Sequence, residues 1–319
     1  MRREGSPWQG LGAVFLKELA DHLSSVRVFV LQLLIVVIAF AALYVAIETI
    51  RQTTAEDPFV LLKLFTVSRW PPLSFVFILG FLIPLMAIGL GFDAINGEHN
   101  RRTLSRILSQ PIYRDALLAG KFLAGLATLG LYLVCLWLLV VGCGVYLLGV
   151  PPSGEEIARS LAFLVSALAF AGVWLALALL LSVAFRSAAT AVLIALGIWL
   201  FLAVLWPLMA PAIAQLIAPP DLRLEILGLP TLATLQWEQA LSRISPNHLF
   251  NEVVAAILSP TTRSLGPIFL EQLQGAVNGP LAFRESLAIA WPQGVALIAS
   301  TIVLFTAGYV IFQRQEVRA

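Results

Sequence analysis

The nearest approach to nucleotide chemistry in this sequence is Gly120-Lys121. A phosphate-cradling loop needs glycines whose amides hold the phosphates, then Lys, then a Ser or Thr whose hydroxyl holds magnesium. Here Lys121 is followed by Phe122, and Asp115 stands where the first glycine belongs. The expectation is a chain that hydrolyses no ATP through a P-loop of its own. Metal-assisted hydrolysis lacks its ligand pattern as well, since His22, His99 and His248 fall in separate segments and none belongs to an H-E-x-x-H pair. All three are expected at solvated surfaces. No G-x-S-x-G elbow offers a serine nucleophile. Glu155-Glu156-Ile157-Ala158-Arg159 has the paired acids and cation that intramembrane proteolysis could use, yet it follows Val150-Pro151-Pro152 in a short loop. Acids favour a helix N-terminus, so the pair is read as a cap. Cys135 and Cys143 stand eight residues apart, about 12 Å along a helix. That is too far for a disulfide or a shared metal, and both are read as packing residues.

With these chemistries set aside, the elements read as a scaffold made for lipid. Of 319 residues, 60% are hydrophobic and 12% charged, about half the charge of an ordinary soluble domain, and mean hydropathy is +0.92. The charges are too few and too clustered to clothe a soluble fold. Between them lie six stretches, at 28–48, 70–92, 122–149, 160–185, 187–217 and 287–312, each able to supply the ~20 apolar residues that carry a helix across a bilayer. Lipid cannot satisfy open backbone groups, so helices are expected; barrel strands would alternate in short segments. The first run begins late and runs long for a secretory leader, and is expected to be a retained span. The fold class is therefore an all-α integral membrane protein with six transmembrane helices, and 1–319 reads as a single transmembrane domain. No ionisable group is expected inside the spans, where the polar residues are Ser166, Ser182, Thr190, Gln215, Ser300, Thr301 and Thr306. That argues against an ion-coupled carrier.

Orientation follows from Lys and Arg near span ends. With the N-terminus in the cytoplasm, the inner segments hold 12 of the 20 basic and seven of the 18 acidic residues, a net +5 against −3 outside. The segment from Arg101 to Lys121 dominates that count, and both termini are expected in the cytoplasm of a multi-pass chain in the cytoplasmic membrane. The basic residues sit where topology wants them, without a basic block interleaved with aromatics, so nucleic acid is not an expected partner.

Three flanking segments carry more than topology. Before the first span, Leu11, Phe15, Leu16, Leu19, Leu23 and Val26 oppose Lys17, Asp21, Ser24 and Ser25 at helical spacing. This predicts an interfacial helix over 8–27 in contact with membrane lipid. Between spans two and three, Asn96-Gly97 can end the second span, 103–108 can form a short helix, and Pro111 interrupts it before a helical run through Arg114 and Lys121. The 218–285 segment, expected outside the membrane, holds two amphipathic helices, Thr231 to Arg243 and Asn247 to Leu258, each preceded by a cap or turn signal. The second could lie on the membrane or cap the bundle.

The run Phe92-Asp93-Ala94-Ile95-Asn96-Gly97-Glu98, then Arg102-Thr103-Leu104, Ile107-Leu108-Ser109-Gln110-Pro111-Ile112, Arg114 and Gly120-Lys121 resembles the inner loop of the ABC type-2 exporter permease family. That family includes permeases of nitrous oxide reductase maturation systems. Phe15-Leu16-Lys17-Glu18-Leu19, Ser245-Pro246-Asn247-His248-Leu249-Phe250 and Phe312-Gln313-Arg314-Gln315-Glu316-Val317 extend the resemblance over nearly the whole chain. One departure is Arg101-Arg102 before Thr103-Leu104, where the family more often has Gly just before Thr-Leu.

The resemblance implies a permease subunit without a cofactor of its own, paired with a second permease chain as homodimer or heterodimer. Separate nucleotide-binding ATPase subunits would bind ATP and Mg. It implies a cytoplasmic coupling helix seated in the ATPase, built on Gly97, Glu98, Thr103 and Pro111, with Arg102, Arg106 and Arg114 as charges and Leu104, Ile107 and Leu108 as apolar anchors. Phe15, Lys17, Glu18 and Leu19 would form the interfacial helix beside it. Pro84, Gly89, Gly91 and Gly197 in spans two and five are candidates to line a pathway at a dimer interface. Two other readings stay open. One is a membrane scaffold that recruits a cytoplasmic partner through the same loop; the other is a membrane enzyme using Glu271, Arg284 and Glu285.

Overall fold

The computed structural model describes residues 8, 10–52, 59–67, 74–103, 112–149, 151–218, 231–265 and 279–315. Among them the regular elements are helical, and six helices are long and apolar enough to cross a membrane. The chain begins with α1 (Leu11–Ser24), which breaks at the extended Ser25 before α2 (Val26–Gln52), the first span. A short α3 (Val60–Thr66) follows, with Leu61, Leu62, Leu64 and Phe65 buried. Seven residues are too few for periodicity to announce a helix, which is why the sequence did not reveal it. The Leu61 amide donates to Glu156 Oε1 at 2.8 Å, fixing α3 against the fourth span.

The second span, α4 (Phe75–Gly91), starts at Ser74, whose hydroxyl accepts the Phe77 N–H. It ends earlier than expected: a turn over Phe92–Ile95 leads into α5 (Asn96–Asn100), so Asn96 and Gly97 begin a helix and do not end one. The third span, α6 (Arg114–Leu148), begins eight residues before the uncharged run at 122, and the fourth, α7 (Gly154–Ala184), six before the run at 160. Hydropathy marks only the apolar part of a helix, and these extra turns carry charges that other segments pair. The Ser153–Glu156 capping box starts α7, as the acid pair suggested.

The fifth span is interrupted. Helix α8 (Ala188–Leu200) passes through a π-helical turn, Phe201–Leu205, into α9 (Trp206–Ile217). Pro207 has no N–H to give, so the Leu202 carbonyl loses its donor in the chain and accepts the Ser245 hydroxyl instead, at 2.8 Å. Ser245 lies at the tip of a hairpin formed by α10 (Leu232–Ser242) and α11 (Pro246–Leu258). These are the two expected amphipathic helices, and the second, α11, is buried among the spans where it was expected to lie on the membrane or cap the bundle. Phe250 stacks on Phe170, halfway along α7, with ring centroids 4.5 Å apart, and Asn247 donates to the Gly80 carbonyl in α4. The hairpin dips into the helices, and Trp206 Nε1 donates to Leu241 O behind it. The last span, α12 (Phe283–Arg314), runs parallel to α7, with Arg159 beside Ser286 and Gly308 against Leu180.

Helix α7 is the centre of this arrangement, buried against α4, α6, α11 and α12. Lipid is as apolar as Leu, so close backbone approach supplies much of the association. Gly91 shows it: a Cβ there would meet the Ala178 Cβ at 2.8 Å. Gly91, Gly89 and the buried Pro84 are thus spent on packing inside the chain, whereas Gly197 faces open space. Of the two cysteines, Cys143 packs on the core and Cys135 is exposed.

Candidate functional site

At the end of the bundle that carries α1 and α5, Lys121 is buried to 3% side-chain exposure between two glutamates from different elements. Its Nζ lies 2.8 Å from Glu18 Oε1 in α1 and 2.8 Å from Glu98 Oε1 in α5. Lys121 and Arg159 each lie one residue before an uncharged stretch, in the turns by which these helices extend past their apolar cores. Lys17 completes the cluster from outside, 2.8 Å from Glu18 and 2.9 Å from Asp21.

Burial alone would raise the Glu18 carboxyl, but the Lys121 charge and hydrogen bond, with help from Lys17, hold it below the usual carboxylate range. Burial likewise works to lower Lys17, and the hydrogen bonds it donates to Glu18 and Asp21 outweigh that and raise it. His22, half-buried and not the solvated histidine expected, is lowered chiefly by burial and is neutral near pH 7. Together with Asp93, Gly97, Arg101 and Thr103 these residues line a cleft of about 450 Å³.

Each element around Lys121 is held for a local reason. Helix α1 lies against α6 because Gly120 has no side chain: a Cβ there would meet Val14 Cγ1 at 2.8 Å. Val14 and Glu18 form the buried face of α1, with Phe15 and Leu19 half-buried, while Leu16 and Leu23 are exposed as lipid-facing residues should be. Helix α5 is stitched to the end of α7. The Ser182 hydroxyl accepts the amides of Ile95 at 3.0 Å and Asn96 at 3.3 Å, and Asn96 Nδ2 donates to Phe185 O. Apolar residues close the cluster beneath, Val14, Ile95, Leu117, Leu118, Val183 and Phe312.

Of the sequence-expected site residues, Glu98 and Gly97 sit in this cluster with Lys17 and Glu18. Thr103 folds back so that its amide and hydroxyl donate to Glu98 O. Arg114 is turned elsewhere: its guanidinium donates to the carbonyls of Phe312 and Gln315 and closes the end of α12. Leu104, Arg106, Ile107, Leu108 and Pro111, and with them most of the expected coupling helix at 103–108, lie outside the described residues. Lys121, Ser182 and Gly120 were not singled out as site residues from the sequence.

Arg102 adopts φ 56°, the left-handed region, just before Thr103. This is where the family resemblance implied Gly, and the geometry gives a reason for one, since an L side chain there costs about 1–2 kcal/mol. Arg102→Gly is expected to raise stability by about 1 kcal/mol and Arg102→Val to lower it, read as opposite shifts in thermal unfolding of the detergent-purified chain.

A family model described as ABC-2 family transporter protein matches residues 12–317. The chain belongs to the ABC-2 transporter family. It is the membrane subunit of an ABC transporter. Two curated relatives carry the name probable ABC transporter permease protein NosY. The one from Stutzerimonas stutzeri is 31% identical over 140 residues, 43% of this chain and 49% of the relative. The one from Pseudomonas aeruginosa is 34% identical over 142 residues, 43% of this chain and 50% of the relative. The aligned part thus spans about half the length of each.

Proposed function

We propose that this ABC-2 permease moves its substrate outward across the cytoplasmic membrane, with both termini in the cytoplasm. A second permease chain completes the channel, and separate ATPase subunits bind ATP and Mg. The observation that carries the reading is the Glu18–Lys121–Glu98 node. Force applied by a closing ATPase dimer to the segment between Glu98 and Arg114 reaches α6 through Lys121, α1 through Glu18 and α7 through Ser182. Such a linkage lets nucleotide binding bias two states of the helices without any chemistry in this chain. The fifth span keeps Leu193, Leu208 and Leu216 exposed and supplies a face for the second chain.

The test is purification of the tagged chain from its native membranes in mild detergent, followed by mass spectrometry of what accompanies it. A soluble P-loop ATPase is expected with the wild type and is expected to be lost from Glu98→Ala combined with Arg106→Glu. Absence of any such ATPase under several gentle conditions overturns the reading in favour of a scaffold.

A further inference from the structure

The hairpin carries charge at a depth where lipid tolerates little. Phe170 stands about 24 Å along α7 from Gly154 and about 21 Å from Ala184. With either end of α7 at an edge of the ~30 Å hydrocarbon core, Phe170 stays at least ~6 Å inside it. Phe250 stacks on that ring, and His248 and Glu252 flank Phe250 in α11, two residues to either side. The Ser245 hydroxyl bonds to the Leu202 carbonyl near the middle of the fifth span, so the tip and Arg243 lie at similar depth.

Exposed side chains of the fifth span at this depth are apolar, Leu200, Val204 and Leu205 among them. The hairpin shows the reverse. The apolar side of α11, with Leu249, Phe250, Val253 and Ile257, is buried among the spans, and the side away from it carries His248, Asn251 and Glu252. Arg243 Nε and Nη2 donate to the Glu252 carboxylate at 2.9–3.2 Å, and Gln239 Nε2 donates to it at 3.4 Å. His248 Nε2 lies 3.6 Å from the same carboxylate. The Glu252 side chain is only 9% exposed, whereas those of Arg243 and His248 are 37% and 38% exposed. Arg243 Nη1 finds no acceptor among the described residues. An unpaired N–H of a charged group is costly against hydrocarbon, and ionisable groups at membrane depth face a water-filled cavity instead. Both Glu252 oxygens are taken by Arg243, so the groups left to offer are donors.

We propose that this side of the hairpin lines a water-filled passage through the transporter, and that Arg243 Nη1 receives an anionic oxygen of the cargo, as of a carboxylate, phosphate or sulfonate. The passage rests on the chain being the membrane subunit of a transporter. It does not use the Lys121 node or the ATPase partner, and the test below succeeds or fails independently of them.

Cysteine accessibility is measured in isolated membranes open on both faces, with Cys135 and Cys143 replaced by Ala. The probes are two methanethiosulfonates, one bearing a sulfonate and one a trimethylammonium group, which attack a hydrated thiolate. His248→Cys is expected to react in at least one of two conditions, with or without ATP and Mg. Leu200→Cys, at similar depth on the apolar side of the fifth span, is expected to stay unreacted. Relative to the rates with a small free thiol, the sulfonate reagent is expected to be favoured roughly threefold over the cationic one at His248→Cys. Arg243→Gln combined with Glu252→Gln removes both charges, leaves no buried carboxylate unpaired, and is expected to erase that preference. Asn251→Cys, exposed on the same side, carries the same expectations if His248→Cys does not fold. No reaction at either position in both conditions overturns the passage, whether lipid or a second chain covers the face, and so does equal reaction at Leu200→Cys. An absent or reversed preference, or one that survives the loss of Arg243, overturns the anion site.

Discussion

Lys121→Met is expected to destabilise the chain by about 3–5 kcal/mol, the usual consequence of removing one partner from a buried ion pair. The side chains of Glu18 and Glu98 are only 9% and 13% exposed, so the substitution leaves two carboxylates facing each other with Lys17 as the remaining cation beside them. A neutral version separates stability from coupling. Glu18→Gln with Glu98→Gln and Lys121→Met removes the charges together, and since a buried ion pair and a neutral replacement are often close in energy, most of the lost stability is expected to return. ATPase stimulation by substrate is not expected to return with it, because the directional link between α1, α5 and α6 is gone. Thermal unfolding of the purified chain reads the first effect, and nucleotide turnover of the reconstituted transporter the second. A triple variant with full turnover would remove the node from the mechanism.

The same cluster sets a pH dependence with a definite sign. Glu18 is held below its ordinary value, so its stabilising contribution is complete above the usual carboxylate range and is lost as pH falls through its lowered value. His22 is also lowered, by burial, so the unfolded chain binds its proton first and stability declines once pH drops below about 6.5. Both groups therefore favour the neutral side. Unfolding midpoints are expected to be flat from pH 7 to 8 and to fall below pH 6, with His22→Gln removing the earlier part of the fall.

The spans were legible because lipid permits few solutions: a long uncharged stretch must be a helix, and six such stretches were present. The hairpin helices were legible from Thr231 and Ser245-Pro246, whose cap and turn chemistry survives in the structure. Their insertion among the spans was not, because it depends on a carbonyl freed by Pro207 in a different helix. The node was missed for a related reason. Lys121 borders an apolar run and was counted as a topology marker. Lys121 is the eighth residue of α6, past the first turn where the macrodipole acts, so no dipole argument singled it out. Arg114, the first residue of α6, does oppose the dipole, and it has acceptors in the terminal carbonyls of α12. A cation at the wrong end of a helix thus pointed to a long-range partner there, although the sequence alone did not say which.

Arg159→Met is expected to be as damaging as the loss of Lys121, at about 3–5 kcal/mol, and at the opposite end of the bundle. Arg159 is fully buried, and its five N–H groups all find acceptors. Nε and Nη2 both donate to Glu155 Oε1, Nη1 donates to Ile257 O and Ser286 Oγ, and Nη2 also donates to Leu281 O. The rings of Phe59 and Phe283 each lie 5.9 Å from the guanidinium carbon. One side chain therefore fastens the start of α7 to the end of α11, to the chain entering α12 and to α12 itself. The last carbonyls of α11 and the backbone before α12 lose their donor when it is removed, and no water in an apolar bundle replaces it cheaply. Arg159→Lys keeps the charge but offers three donors from a single point, which cannot reach three segments at once, so it is expected to recover only part of the loss. The distinguishing readout is limited proteolysis. If Arg159 fastens the hairpin, cleavage between 259 and 282 accelerates in Arg159→Met well below the unfolding temperature, whereas a merely global loss of stability accelerates cleavage everywhere at once.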